Sequence, residues 1–532
     1  MSSHTALRIV RNGCRKINRP RSQGRRSFSS NSGNDSAVND ITRISLSQPV
    51  PGINPPKFTS SKTRKNETVV TTLDNGMKVA TENTFGQFCT AGVLINSGSR
   101  YEVAYPSGIS HFLEKLAFGT TTQYKNRDKI LQELEEHGGI CDCQSSRDTL
   151  IYAMSAESRG LPSVVNILSE VVNRPVISPQ EIEEARMAIG YQLEFLNIDP
   201  NPEPLLMEMI HEAAYRGNTL GLPHRCPKES IQKINKRVLY TFMKNFHTPD
   251  RMVLAGVGVE HDQFVRLAED AFIKEKKPIW LDNPDLIDNR MSTDNSLAQY
   301  TGGRVLVEKD LSSVSLGPTP MPELAHIVVG LESCSHKDDD FISYCVLNMM
   351  MGGGGSFSAG GPGKGMYTRL YLNVLNRYHW IHNATCYNHA YDDSGLFCIH
   401  ASSHPDQLGD LVEVIVRELV NTASDIDKTE LQRAKTQLQS MLLMNLESRP
   451  VIFEDVGRQV LTAGHRKQPE HYFDLIGNVT AEDIQRVATR MLQSKLSLAA
   501  LGTLSVLPEY DNIQNTLLGK GGKRSRFSFL GL

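Results

Sequence analysis

The chain has 532 residues, 39% of them hydrophobic and 22% charged, with a formal net charge of −2. That length exceeds one hydrophobic core and calls for about two to four domains. No apolar run approaches the ~18 residues of a membrane span. A near-neutral balance gives no reason to expect nucleic acid as a partner.

Charge is unevenly spread. Residues 1–28 hold Arg8, Arg11, Arg15, Lys16, Arg19, Arg21, Arg25 and Arg26, and the first acid is Asp35. Together with Ser2, Ser3, Ser22 and Ser27 this Arg-rich, Ser-rich, acid-poor composition is that of a mitochondrial transit peptide. A basic arm for nucleic acid or anionic lipid is the alternative. Arg26-Ser27-Phe28-Ser29 resembles a matrix-processing site, and removing the eight positive charges before it takes the balance from −2 to −10. Residues 29–65, rich in Ser, Asn and Pro, read as a linker.

Ordered sequence begins near residue 66. Thr68–Leu73 and Met77–Ala80 read as strands around an Asp74-Asn75-Gly76 turn, and Thr90–Ser99 as another. Next comes Ser110-His111-Phe112-Leu113-Glu114-Lys115. In a helical His-x-x-Glu-His motif the two His share a face and bind zinc while the Glu activates water. Here the fifth position is Lys115, whose ammonium has three donors, no lone pair and a charge repelled by a dication. Taken alone, His111 with Glu114 reads as a structural pair. A helix is predicted around Ile130–His137, stopped by Gly138-Gly139, with further helices over 161–173, 179–196 and 203–215. The nine cysteines are scattered. Cys141 and Cys143 share one face of a strand-like stretch with no zinc-site partner, so reduced thiols are expected.

An internal repeat follows. Met252–Val259 resembles Leu498–Val506, and Ala91–Ser99 resembles Ile327–Ser335, in the same order and each with a helix after it or near it. Two domains are implied, 66–285 and 305–510, joined by a polar seam from Asp282 to Gly303 and followed by a basic tail, 511–532. Mixed rather than alternating strands and helices make the class α+β.

Residues 352–365 read GGGGSFSAGGPGKG, eight glycines in fourteen residues. Glycine packs nothing and costs backbone entropy, so such a run inside a domain marks a need for backbone freedom or close approach. Gly363-Lys364 is followed by Gly365, not Ser or Thr, which excludes a P-loop. A mobile functional loop is the reading preferred over a linker. Asp338-Asp339-Asp340 before it reads as a helix start, and Asp392-Asp393 after it as a turn.

The stretch from Leu94 to Glu102 followed by Gly108–Thr120 resembles the pitrilysin-type metallopeptidase family. Within it, Met351–Tyr371 is similar to the glycine-rich loop of the family's non-catalytic, presequence-binding subunits. The likeness runs from about Thr68 to Pro508 and includes Glu203–Tyr215 and Ser448–Leu461. The resemblance implies two homologous domains, each a mixed, mainly antiparallel sheet packed with helices. It implies a substrate-recognition subunit, without catalytic residues of its own, of the heterodimeric matrix peptidase that removes presequences from imported precursors. The implied partners are a catalytic beta subunit, holding zinc on an intact motif, and basic presequence peptides. Substrate contact is expected at Gly352, Gly353, Gly354, Gly355, Ser356, Phe357, Gly360, Gly361, Gly363, Lys364 and Gly365. No metal is expected at the degenerate motif His111, Glu114, Lys115, because Gln192 falls near the family's third ligand position. Glu194, two residues on, is turned away by about 200°. A structural core subunit of the cytochrome bc1 complex, on the matrix face of the inner membrane, is the alternative. An active zinc peptidase with unusual ligands is opposed by Lys115.

Overall fold

The β-rich segments assemble into two six-stranded sheets. The computed structural model describes residues 67–199, 201–274, 277–311, 322–355 and 366–519. The predicted transit peptide, the linker, the basic run 520–526 and residues 356–365 lie outside them. The first sheet contains β1 (Thr68–Thr72), β2 (Lys78–Glu82), β3 (Phe88–Ile95), β4 (Ile140–Ser145), β5 (Leu150–Glu157) and β6 (Met252–Val257), in the order β1-β2-β6-β3-β5-β4. The second contains β7 (Gly303–Glu308), β8 (Ala325–Glu332), β9 (Gly353–Gly355), β10 (Ile381–Ala390), β11 (Gly395–Ser403) and β12 (Ser497–Gly502), in the order β7-β12-β8-β11-β10-β9.

The repeat seen in the sequence is a repeat of topology. β6 runs parallel to β2 and antiparallel to β3, and β12 runs parallel to β7 and antiparallel to β8. From there β3-β5-β4 matches β8-β11-β10, all antiparallel. Two strands break the correspondence. β1 extends one edge of the first sheet, and β9 extends the opposite edge of the second.

The helices of the first half are α1 (Ile109–Leu116), α2 (Arg127–Glu135), α3 (Leu161–Asn173), α4 (Pro179–Ile198), α5 (Glu203–Ala214), α6 (Lys236–Phe246), α7 (His261–Glu269) and the single turn α8 (Ile279–Asp282). The second half has α9 (Phe341–Met351), α10 (Leu408–Asn421), α11 (Lys428–Asn445), α12 (Arg449–Ala463), α13 (Pro469–Asn478), α14 (Ala481–Leu492) and α15 (Tyr510–Leu517). α4 shows how local sequence sets these bounds. Ser178 and Glu181 form a reciprocal capping box at its start, with Pro179 in the first turn. It ends at Asp199, held extended at ψ 125° as expected before Pro200.

β6, β11 and β12 are buried at every position, so both faces of each sheet must be covered. One face is covered locally. α3 places Val164, Ile167 and Leu168 against the first sheet, and α10 places Leu411 and Ile415 against the second. The other face is covered by exchange. Leu206, Met209 and Ile210 of α5 pack on Val328, Cys398, Ala499 and Leu501 of the second sheet. Reciprocally, Ile452, Phe453, Val456 and Val460 of α12 pack on Ala80, Leu94, Val253 and Ala255 of the first. Burial of each such side chain contributes about 1.5–3 kcal/mol.

Polar ties reinforce the exchange. Arg100 bonds Asp148 at 2.9 Å and, from the other lobe, Asp393 with a two-pronged contact at 3.0 and 2.5 Å. Tyr391 donates to His211 Nε2 at 2.7 Å, whose other nitrogen donates to the Met207 carbonyl. Tyr387 donates to Glu203 at 2.8 Å. At the far side Arg466 is sandwiched between Glu82 of β2 and Asp455 of α12. The region expected to be a tail from 511 onward begins as α15 instead. Ile513 and Leu517 are buried in the second core, and apolar burial outweighs the basic run that follows.

Two predictions arise from this packing. Replacing Arg100, which is 5% exposed, with Met leaves the half-buried Asp393 and Asp148 side by side without their shared counter-charge. A loss of about 3–5 kcal/mol in urea unfolding is expected; a loss below about 1 kcal/mol would show the lobes to be joined by apolar packing alone. The second concerns acid. Burial holds His247, His326 and His389 down to about 4 and His400 to about 3. The unfolded chain takes up protons near 6.5 that the folded one refuses. Stability should therefore fall as pH drops from about 6.5 towards 4. Glu102, raised by burial to about 7, opposes this, as do Glu82, Asp148 and Glu332, whose carboxyls burial also pushes up. A urea midpoint no lower at pH 5 than at pH 7 contradicts the burial of these rings.

Candidate functional site: a zinc-motif helix without a ligand set

The helix bearing the motif, α1, is anchored by a buried carboxylate. Glu102 accepts from Gly108 N at 2.5 Å and from Ser110 N and Oγ at 2.7 Å each, which satisfies the first amides of the helix. This fixes the rotation of α1, and with it the direction in which His111, Glu114 and Lys115 point.

His111 is buried, and both of its ring nitrogens are in use. The Cys226 amide donates to Nδ1 at 3.2 Å. Nε2 therefore carries the proton and donates to Gln192 Oε1 of α4 at 3.0 Å. Burial holds this imidazole neutral, with its pKa lowered to about 4. Gln192 thus meets His111, whereas Glu194 is exposed.

Glu114 is equally engaged. Lys115 Nζ lies 3.0 Å from its Oε1, and Ser145 donates to Oε2 from its amide at 3.1 Å and its hydroxyl at 2.6 Å. Burial alone would raise the pKa of this carboxyl. The Ser145 bonds and the adjacent ammonium more than offset that, so it is held below the usual carboxylate range. Around it His224 bonds Ser145, and Glu208 accepts from the His224 amide at 2.9 Å and pairs with Arg147 at 3.0 Å.

A zinc ion does not fit this donor set. His111 has no free lone pair, Lys115 has none to give, and the charge of Glu114 is already compensated. Among the described residues no group of three or more His, Cys, Asp or Glu side chains is placed to hold a metal. His111 and Glu114, read from the sequence as a structural pair, are both bound to protein partners. The two side chains bond different partners, because three residues of helix aim them at different neighbours, α4 and β4. Ser145, Cys226, His224 and Glu208 were not legible as parts of this site. They join it through contacts 16 to 115 residues distant in sequence.

The glycine run starts where α9, the counterpart of α1, ends. Gly352 is its C-terminal cap at φ 57°, where a Cβ would lie 2.4 Å from Thr368 Cγ2. Gly353 sits at φ 102°, and a Cβ there would meet the Ala384 carbonyl oxygen at 2.0 Å. Gly353, Gly354 and Gly355 pair antiparallel with Thr385, Ala384 and Asn383. A run read as one mobile loop over 352–365 therefore begins as an edge strand, and at Gly353 the approach to β10 leaves no room for a Cβ. Ser356, Phe357, Gly360, Gly361, Gly363, Lys364 and Gly365 lie outside the described residues. β10 corresponds to β4, so β9 is added at the sheet edge that in the first lobe lies beside the motif helix.

The acidic groups flanking the run serve the fold. Asp340 binds Arg486 at 2.6 Å and Arg490 at 3.4 Å. Asp392 binds Lys337 at 2.5 Å, and Asp393 holds Arg100.

Two homologous lobes, exchanged helices and a motif helix whose His, Glu and Lys bond protein partners define the class: a metallopeptidase-type fold. The chain belongs to peptidase family M16. Residues 78–228 match the model described as Insulinase (Peptidase family M16), and 233–438 match the Peptidase M16 inactive domain. It is 58% identical over 484 residues to a human protein named mitochondrial-processing peptidase subunit alpha, covering 91% of each chain. Proteins of the same name from Caenorhabditis elegans and Solanum tuberosum are 45% and 34% identical, over 84% and 91% of this chain and 87% and 90% of theirs.

The ligand argument can be tested by rebuilding the set. Lys115→His together with Gln192→Glu supplies two donors beside His111. Elemental analysis after dialysis should then give about one zinc per chain, against far less for the unaltered protein. Equal zinc in both would refute the reading.

Proposed function

We propose that this protein is the substrate-recognition subunit of a mitochondrial processing peptidase. It carries no catalytic residue of its own and works beside a beta subunit that holds zinc on an intact motif. The observation that carries this is the joint state of two equivalent sheet edges. One has its motif helix locked into Gln192, Ser145 and Lys115. The other has gained a glycine strand leading into the run 356–365.

In this reading the chemistry belongs to the partner, and the present chain supplies binding energy to a substrate it does not cut. Binding remote from the reacting bond lowers the barrier by fixing the substrate's position. Phe357 can offer an apolar contact and the glycines can move around peptides of varied sequence. Lys364 is the exception, since a basic ligand repels it; an acid of the partner is its natural counterpart. The names of the relatives favour this role over a core subunit of the cytochrome bc1 complex. They also favour a mitochondrial location, and the matrix is where presequences emerge. No helix among the described residues is long and apolar enough to cross a membrane.

Because Gly352–Gly355 belong to α9 and the sheet, the informative deletion is 356–365 alone. In the heterodimer it should weaken presequence binding at least about tenfold while assembly, followed by sedimentation, is unchanged. Unaltered affinity removes the loop from recognition.

A further inference from the structure

α4 buries one face and leaves another bare. Ile182, Ala185 and Ile189 enter the core, whereas Met187, Tyr191, Phe195 and Ile198 are 55%, 71%, 60% and 68% exposed. Their spacing of four, four and three residues stacks them in one stripe along about 16 Å of helix. Soluble helices rarely show solvent two aromatic and two aliphatic side chains in line, and such stripes mark binding sites.

The charges that α4 itself sets beside the stripe are acidic, and the one base that meets its end from outside, Lys309, is held on the Asn197 carbonyl at 2.9 Å. Glu184 and Glu194 are exposed on the same face, and neither has an ion-pair partner among the described residues; Glu184 accepts only from Gln180. The single base of α4, Arg186, is turned away to Glu183 and to the carbonyls of Ile231 and Ile234. The duplicated helix shows that the fold does not require this. α11 occupies the same place after α10 that α4 occupies after α3. It carries Lys428, Arg433 and Lys435 against Glu430, and its large exposed apolar residues are only Leu443 and Met444, near its end. One copy is apolar and acidic; the other is basic and mostly polar.

We propose that the outward face of α4, built on Met187, Tyr191, Phe195 and Ile198 with Glu184 and Glu194, is a docking strip for basic presequences. The apolar residues of the presequence lie on the stripe, and its Arg and Lys side chains meet the two carboxylates. This rests on the recognition role proposed above and gives it a second surface, on the helix that carries Gln192. Charge complementarity selects the occupant. The chain's own residues 1–28 are an example of that chemistry, with eight bases, no acid and Leu7, Ile9, Val10 and Ile17 among them.

The test uses the assembled heterodimer and a fluorescent peptide of residues 1–28, followed by anisotropy, with sedimentation velocity in parallel. Tyr191→Ser with Phe195→Ser should raise Kd at least about tenfold, while Tyr191→Phe with Phe195→Tyr should keep it near the starting value. Glu184→Gln with Glu194→Gln should raise Kd about three- to fivefold at low salt and hardly at all in about 0.5 M salt. Unchanged Kd in the Ser and Gln variants, with the starting heterodimer binding normally, overturns the strip and leaves the recognition role standing. Dissociation of the Ser variant into subunits overturns it in favour of a subunit contact. Failure of the starting heterodimer to bind the peptide overturns both.

Discussion

Everything in this molecule depends on the need to cover two faces of two sheets with helices. β6 and β12 expose neither face, and a single sheet with helices from its own half covers only one. The solution is reciprocal: α5 leaves the first half to lie on the second sheet, and α12 returns to lie on the first. Each half buries one face of its sheet in a core of its own and the other only through the exchange. The ion pairs of Arg100 and Arg466 add to this exchange, each tying a side chain of one lobe to the other.

The helix that carries the broken motif keeps its place without help from a metal. α1 is held by Glu102 at its start and by core contacts of Phe112 and Leu113, none of which involves a metal. Once the fifth motif position is Lys and the third ligand Gln, the remaining polar groups find each other. Gln192 takes the proton of His111, and Ser145 with Lys115 takes the charge of Glu114. A half-buried carboxylate without such partners would be destabilising, and these bonds leave Glu114 compensated by protein groups alone.

Duplication then let the two halves diverge at equivalent places. The edge beside α1 keeps a remnant of the motif, while the edge beside α9 gained β9. The long helix after the sheet became apolar and acidic as α4 and basic as α11. A subunit that binds rather than cuts needs surfaces, and these are the places where the copies differ most in chemical character.

Much of this was legible in the sequence because it rests on local signals. Alternation and turn residues marked β1 to β3, 3.6-residue periodicity marked α3, α4 and α5 within one or two residues, and internal similarity paired β6 with β12 and β3 with β8. Lys115 declared the metal motif broken through its chemistry alone, since an ammonium has no lone pair in any fold. Tertiary structure alone decided the rest. It turned Gly353–Gly355 from a loop into a strand, because whether a backbone without Cβ is free or closely paired depends on the neighbour, here Ala384. It ordered α15 where the sequence reads as a tail, because Ile513 and Leu517 find a core. It exchanged α5 and α12 between lobes and gave Asp393 to Arg100. Residue type sets what a side chain can do; only the chain's long-range path sets what it meets.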